Sequence, residues 1–259
     1  MNNTKFYYLY SILSTTALSF FNPILYIYLL SKDFSFTEVG LYLSIFWLVS
    51  FMTELPCGAI TDNIGAKNSI LLSVIFRVVG LILLLSNSLI LLYISAILSA
   101  IAESFQSGTL TSWLVNVNNK NNEEIDIDKV LSRSSLYALF FSAVIGFISA
   151  KYVYVYYKSL SIILSMSIFI ISFLFTYLFM QKLEQTQKIS IENLKGSIVT
   201  VKNSLKETLY VKSSVFLMIL FVIPSILDLG PSNQWQAVFE KLDADIIGYV
   251  WIGISVSGM

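Results

Sequence analysis

Apolar side chains occupy this chain in long runs, and its charged residues gather in the short gaps between them. Most runs hold roughly 17 to 25 residues, the length that a helix needs to cross a bilayer. Only helices or closed barrels can span lipid, and the period-two alternation of a barrel strand is absent. The pattern predicts an all-α polytopic membrane protein with apolar segments at residues 6–30, 38–60, 69–86, 89–115, 134–150, 159–180, 213–236 and 245–259.

The ends of these segments carry local signals. Ser35 and Glu38 have the spacing of a capping box at the start of the second helix. The first run, Phe6 to Leu30, is too long for the core of a signal peptide, and no small-residue cleavage site follows it. We therefore expect this run to be the first permanent span.

Composition supports the same class. Apolar residues make up 56% of the 259 residues and charged residues 12%, too little polar surface for a soluble protein of this size. The absence of histidine and the single cysteine, Cys57, exclude histidine catalysis, the usual histidine metal sites and an internal disulfide. Neither a nucleophile elbow nor a phosphate-binding loop occurs. We expect no enzyme activity, no cofactor, no metal, no ATP-driven pumping and no nucleic-acid partner.

Lysine and arginine divide unequally between the two sets of alternating gaps. The set that includes the N-terminus holds Lys5, Lys67, Lys120, Lys129, Arg133, Lys182, Lys188, Lys195, Lys202, Lys206 and Lys212. The opposite set holds Lys32, Lys151, Lys158 and Lys241. Cytoplasmic loops carry the excess of cations, so the pattern predicts a multi-pass protein of the cell membrane with a cytoplasmic N-terminus.

A polar stretch divides the chain after six predicted helices. Residues 181–212 hold six lysines and an amphipathic helical pattern, Ile191, Leu194, Ile198, Val201 and Leu205. Such a segment is expected to lie along the cytoplasmic membrane surface. The predicted organisation is a six-helix bundle at 1–180, this basic linker at 181–212, and the start of a second bundle at 213–259.

The gap between the second and third runs has a distinctive composition. It is Gly58-Ala59-Ile60-Thr61-Asp62-Asn63-Ile64-Gly65-Ala66-Lys67. Its spacing resembles the loop signature between the second and third helices of the major facilitator superfamily, roughly Gly-x-Leu-x-Asp-Arg-x-Gly-Arg-Lys. Both glycines, the aspartate and the lysine match, whereas Asn63 and Ala66 stand where the family usually has arginine. The glycines are expected to permit a tight turn, and Asp62 to cap the third helix or to pair across two halves.

A weak internal repeat accompanies this resemblance. Asn22-Pro23 is followed seventeen residues later by Gly40, and Gly230-Pro231 is followed at the same distance by Gly248, with an offset of 208 residues. Duplicated halves are typical of transporters, and a complete duplication gives roughly 400 residues. We therefore expect this sequence to be a truncated transporter that holds the first half, the linker and the first one to two helices of the second half.

Four charged residues lie at membrane depth in the predicted spans, away from the span ends: Glu54, Arg77, Glu103 and Asp228. Such groups are costly in a membrane and usually functional. Counted along their helices, the first three fall at similar depth, within one or two turns. Arg77 can neutralise either glutamate. The remaining carboxylate then either faces water or carries a transported proton, and the sequence leaves these alternatives open.

The fourth and fifth helices add small and polar residues. Glu103-x-x-Gln106-Ser107-Gly108, followed by Trp113-Leu114-Val115, resembles a bacterial efflux-like subgroup of the family. Ser107 and Gly108 can equally serve close helix packing. Ser142, Gly146 and Ala150, at spacing four, predict a packing stripe on the fifth helix. The Gly-Pro signature of drug/proton antiporters is absent there, because no proline occurs between Pro56 and Pro224.

The resemblance also implies a central cavity, to which we assign Asn22, Gln106, Asp228, Gln234 and Trp235. Asn22, or a polar residue of the seventh helix, can instead satisfy a backbone group that a neighbouring proline frees. The function implied is secondary active export of a small amphipathic compound by alternating access, with protons as a candidate coupling ion. The alternative is a non-transporting remnant or a regulatory subunit of a full-length transporter.

Overall fold

Helices form almost all of the part of the chain that the structure describes. The structure, a computed structural model, describes residues 2–121, 125–183, 210–217, 219–220, 234–239 and 246–257, and these contain no strand. Within them, six helical segments are long and apolar enough to cross a membrane: Asn3–Leu30, Phe36–Ile64, Ala66–Leu84, Leu89–Asn121, Ile127–Tyr156 and Leu160–Phe179. They are called the first to sixth spans below. The all-α class and the six spans predicted for the first 180 residues are confirmed.

A shorter apolar helix, Ile246–Ser257, is called the C-terminal helix and corresponds to the eighth predicted segment. Residues 212–217 and 234–239 are also helical, at the two ends of the seventh predicted segment. Residues 184–209, most of the predicted linker, lie outside the described residues, as do 221–233 and therefore Asp228 and Pro231. The division into bundle, linker and second bundle stays a prediction.

Three spans depart from a regular α-helix along their length. In the first span a 3-10 turn, Asn22–Ile24, separates two α-helices, because Pro23 has no N–H and its ring crowds the preceding turn. The fourth span bends after Gln106, where Gly108 has a positive φ of 65°. The fifth span contains a π-helical stretch, Ser149–Val153. It begins at Ile127, seven residues before the predicted start, with Asp126 accepting from the Lys129 N–H as its N-cap.

The predicted capping box is present at the start of the second span. The Ser35 hydroxyl accepts from the Glu38 N–H at 3.3 Å, and the Glu38 carboxylate accepts from the Ser35 N–H at 2.7 Å. Two N–H groups that the first turn leaves without an intrahelical partner are thereby satisfied.

The main contacts among the spans repeat after three helices. The contact between the second and fourth spans corresponds to the contact between the fifth and first spans. Likewise, the contact between the third and fourth spans corresponds to the contact between the sixth and first spans. The third and sixth spans also pack on each other. Exchanging spans one to three with spans four to six leaves this set of contacts unchanged, as expected of two nested three-helix repeats.

Small hydroxyl side chains hold these helices together. The Ser165 hydroxyl donates to the Ala17 carbonyl at 2.6 Å, and the Ser95 hydroxyl donates to the Gly80 carbonyl at 2.7 Å. Serine lets two backbones approach closely and supplies a hydrogen bond where lipid supplies none. Gly80 has no room for a side chain, since an added Cβ would lie 2.7 Å from the Ser99 hydroxyl.

Lys32, in the turn after the first span, caps the C-terminus of the third span. Lys32 Nζ donates to the carbonyls of Leu84 and Ser86 at 3.2 and 3.0 Å, and to that of Leu85, at the end of the third span. Because Lys32 follows the first span, the first and third spans end at the same face of the bundle, as six alternating spans require. A cation also complements the negative end of a helix dipole.

Candidate functional site

The signature gap is a helix end rather than a loop. The second span continues through Gly58 and Asp62 to Ile64, and the chain reverses at Gly65 alone, with a φ of 83°. The expectation that both glycines form the turn is wrong for Gly58, which lies within the helix where an added Cβ would meet open space. Gly65 is required, because an L side chain rarely adopts its conformation.

The polar residues of this gap have different environments. Asp62 is exposed, and no side-chain bond caps the third span, so Asp62 does not cap it. Lys67 Nζ donates to the carbonyls of Tyr177 and Met180 at 2.8 and 3.0 Å, which joins the start of the third span to the end of the sixth. Asn63, where the family usually has arginine, is buried and donates to the Ala59 carbonyl of its own helix.

One of the two candidate glutamates pairs with the buried arginine. Arg77 on the third span forms a salt bridge with Glu103 on the fourth. The arginine side chain is 5% exposed and that of the glutamate is 44% exposed. A buried guanidinium in an apolar bundle requires such a partner. The alternative that the sequence left open is thus decided in favour of Glu103.

Glu54 lies apart from this pair. It is exposed on the second span, between the exposed side chains of Met52 and Leu55. No ion pair joins it to Arg77 within the described part of the chain. The three charges at similar depth therefore form one pair and one separate carboxylate.

A cavity of about 380 Å³ lies beside the ion pair, and both Arg77 and Glu103 line it. The rest of its wall is mostly apolar, with Ser99, Asn22 and Gln236 as polar exceptions. Among the described residues, seven aromatic side chains contribute: Phe21, Tyr26, Tyr42, Phe46, Trp47, Trp235 and Trp251. An apolar wall with a few polar groups is typical of a small-molecule site.

The residues assigned to the cavity from sequence divide into two groups. Asn22 and Trp235 line it. Gln106 does not, because its side chain donates to the Ser14 hydroxyl on the first span at 2.7 Å. Gln234 does not either, since its side chain is exposed away from the lining. Asp228 lies outside the described residues.

Gln236 and Trp251 line the cavity and were not found from sequence. Trp251 Nε1 donates to the Ser142 carbonyl at 2.9 Å, which fixes the C-terminal helix on the fifth span. An added Cβ on Gly146 would lie 1.9 Å from that nitrogen, so the indole ring occupies the space that the missing side chain leaves. The stripe of Ser142, Gly146 and Ala150 is therefore a packing surface, as predicted.

Comparison with known proteins agrees with this arrangement. The sequence pattern of the Major Facilitator Superfamily matches residues 7–259. The chain belongs to this superfamily. It is also 26% identical, over 255 residues, to a Bacillus subtilis (strain 168) protein named "uncharacterized MFS-type transporter YxaM". That match covers 95% of this chain and 61% of the relative, so the chain spans less than two thirds of the relative's length.

Proposed function

We propose that this facilitator chain takes part in secondary active export of a small amphipathic compound by alternating access, with protons as the coupling ion. The observation that carries the proposal is the cavity beside Arg77 and Glu103, with its aromatic, largely apolar wall. A ligand with an apolar body fits such a wall, and its polar group can reach the pair of Arg77 and Glu103. The cation distribution favours a cytoplasmic N-terminus in the cell membrane.

The charged pair supplies a means of proton coupling. Glu103 is held by Arg77 on one side and is 44% exposed on the other, so a proton or a ligand can reach its carboxylate. Protonation removes the charge that neutralises the buried Arg77, so the guanidinium must then find another partner. Movement of the third and fourth spans can follow from that change. Glu54 lies outside the cavity wall, and we therefore assign the proton to Glu103.

The test is transport in vesicles that contain the chain, with a fluorescent lipophilic compound as the probe and an imposed pH gradient. We expect gradient-driven movement that Glu103→Gln uncouples from pH while binding of the probe remains. Glu54→Gln is the matched control, and its transport should keep the pH dependence. Intact pH dependence in Glu103→Gln contradicts the coupling role. Failure of the unaltered chain to move any probe favours the regulatory-subunit alternative.

A further inference from the structure

The break in the first span separates two backbone groups that a continuous helix would join. In a regular α-helix the N–H of Tyr26 donates to the carbonyl of Asn22, four residues earlier. Here the 3-10 turn Asn22–Ile24 stands at that point, with Pro23 inside it. A buried N–H or carbonyl without a partner is costly in an apolar bundle, so each of these groups requires a hydrogen bond.

The side chain of Gln236 meets both requirements at once. Its carbonyl oxygen accepts from the Tyr26 N–H at 2.8 Å, and its amide nitrogen donates to the Asn22 carbonyl at 2.7 Å. The residue is 6% exposed. The amide therefore stands in the place of one backbone hydrogen bond of the first span. It joins segment 234–239 to that span across more than two hundred residues of sequence.

We propose that Gln236 is a latch that closes the cavity at the end where the first span is broken. Asn22, Tyr26, Trp235 and Gln236 all line the cavity, so the latch is part of its wall. The positioning role belongs to the amide group, which holds segment 234–239 against the break. The compound that the cavity carries does not enter this argument, so the latch is independent of the proposed substrate and of proton coupling.

The same two bonds make the latch reversible. When the amide withdraws, the Tyr26 N–H and the Asn22 carbonyl can bond directly to each other, as they would in an unbroken helix. Neither backbone group is then left unpaired, and the released amide can bond to water in the cavity. The first span thus has two arrangements that satisfy its backbone, and such a bistable element is what a gate needs.

The rate at which a thiol reagent reaches the cavity shows whether the latch is open or closed, and its measurement needs no transport assay. The probe site is Val39, which lines the cavity in the first turn of the second span and is fully buried. In a Cys57→Ala background, Val39→Cys is treated with a membrane-impermeant maleimide in intact cells and in inverted vesicles. A separate Lys158→Cys variant, labelled in the same way, shows on which side of the membrane the connection between the fifth and sixth spans lies.

Gln236→Met keeps the length of the side chain and removes the amide. We expect it to raise the labelling rate of Val39→Cys about fivefold or more on the face where Lys158→Cys reacts, because two hydrogen bonds are lost. Gln234→Met removes an exposed amide two residues away and is the matched control. We expect no change in the labelling rate for that control.

Gln236→Glu provides an independent variant, because an ionised carboxylate keeps the acceptor for the Tyr26 N–H but is repelled by the Asn22 carbonyl, whereas a protonated carboxyl can bond to both groups. We expect its labelling rate, relative to the parent at the same pH, to rise at high pH and to return toward the parent rate at low pH. Gel filtration of each variant confirms that the bundle is folded. The latch proposal is contradicted if a folded Gln236 variant has, at high pH, the same labelling rate as the parent and as Gln234→Met. A rise confined to the opposite face also overturns it.

Discussion

Arg77 and Glu103 join the third and fourth spans through an ion pair whose members differ in access, since the arginine side chain is 5% exposed and the glutamate 44%. Both residues line the cavity, but the guanidinium is held inside the bundle, whereas the carboxylate is partly exposed. Removal of the glutamate leaves a buried cation, but removal of the arginine leaves a carboxylate that water or a proton can reach. The two residues should therefore respond differently to substitution.

This asymmetry predicts the outcome of a double-mutant cycle. We expect Glu103→Gln to lower the free energy of unfolding more than Arg77→Met does, because a buried charge without a partner is costly. The coupling energy between the two substitutions should be about 1–3 kcal/mol. Chemical unfolding of the purified protein in detergent measures it. The matched cycle of Arg77→Met with Glu54→Gln should show no coupling, and coupling of equal size in both cycles contradicts the pairing.

Lys67 stabilises the end of the sixth span. Lys67→Met should lower the free energy of unfolding by about 1–2 kcal/mol, because the carbonyls of Tyr177 and Met180 each lose a hydrogen bond. Lys67→Arg should recover part of this loss, since it restores a cation near the helix end. Thermal unfolding is the measurement. Lys158→Met, an exposed lysine elsewhere, is the control, and an equal loss there argues against a capping role.

Asp62 is exposed at the end of the second span and does not cap the third. Asp62→Asn should leave the amount of folded protein and its thermal unfolding unchanged. If the aspartate acts across two halves, as the family signature implies, the rate of transport should fall at least tenfold, which corresponds to about 1.4 kcal/mol. Quantitative membrane blots and vesicle transport measure the two effects separately. A parallel loss of folded protein and transport assigns Asp62 to structure alone.

Gly146 accommodates the indole ring of Trp251. Gly146→Ala places a methyl group where the ring lies, and the ring cannot move without losing its bond to the Ser142 carbonyl. We expect a loss of about 1–3 kcal/mol in the free energy of unfolding, together with a shift in tryptophan fluorescence. The control is Gly253→Ala, which lies in the C-terminal helix that carries Trp251 and has open space where a Cβ would be added. Similar effects of both substitutions contradict the packing role.

The orientation predicted from the cations can be tested with single thiols in a Cys57→Ala background. Lys158→Cys should react with an impermeant maleimide in intact cells, whereas Asn121→Cys should react only in inverted vesicles. Both positions are exposed at the ends of spans. Lys158 is a better probe than Lys32, whose ammonium caps the third span. The reversed labelling pattern places the N-terminus outside.

The sequence by itself determined the class, the six spans and the capped start of the second span. A membrane span must be apolar over its whole length, because lipid offers no partner to a polar group, so its signal lies in consecutive residues. A capping box is equally local, and Ser35 and Glu38 form one as predicted. Sequence spacing also places a residue at a depth, since a helix rises about 1.5 Å per residue. That is why Glu54, Arg77 and Glu103 could be grouped before their partners were known.

Only the tertiary structure decided which of these groups meet. Successive residues turn by about 100° around a helix, so Gln234 and Gln236 point in nearly opposite directions and composition cannot tell which one reaches the first span. The choice of Glu103 over Glu54 likewise depends on which faces of the second, third and fourth spans pack together. The continuation of the second span through Gly58 was missed because a helical glycine and a turn glycine look alike in sequence. The depth of a residue follows from its position along one helix. The direction in which its side chain points, and the residue that it contacts, depend on how the helices pack together.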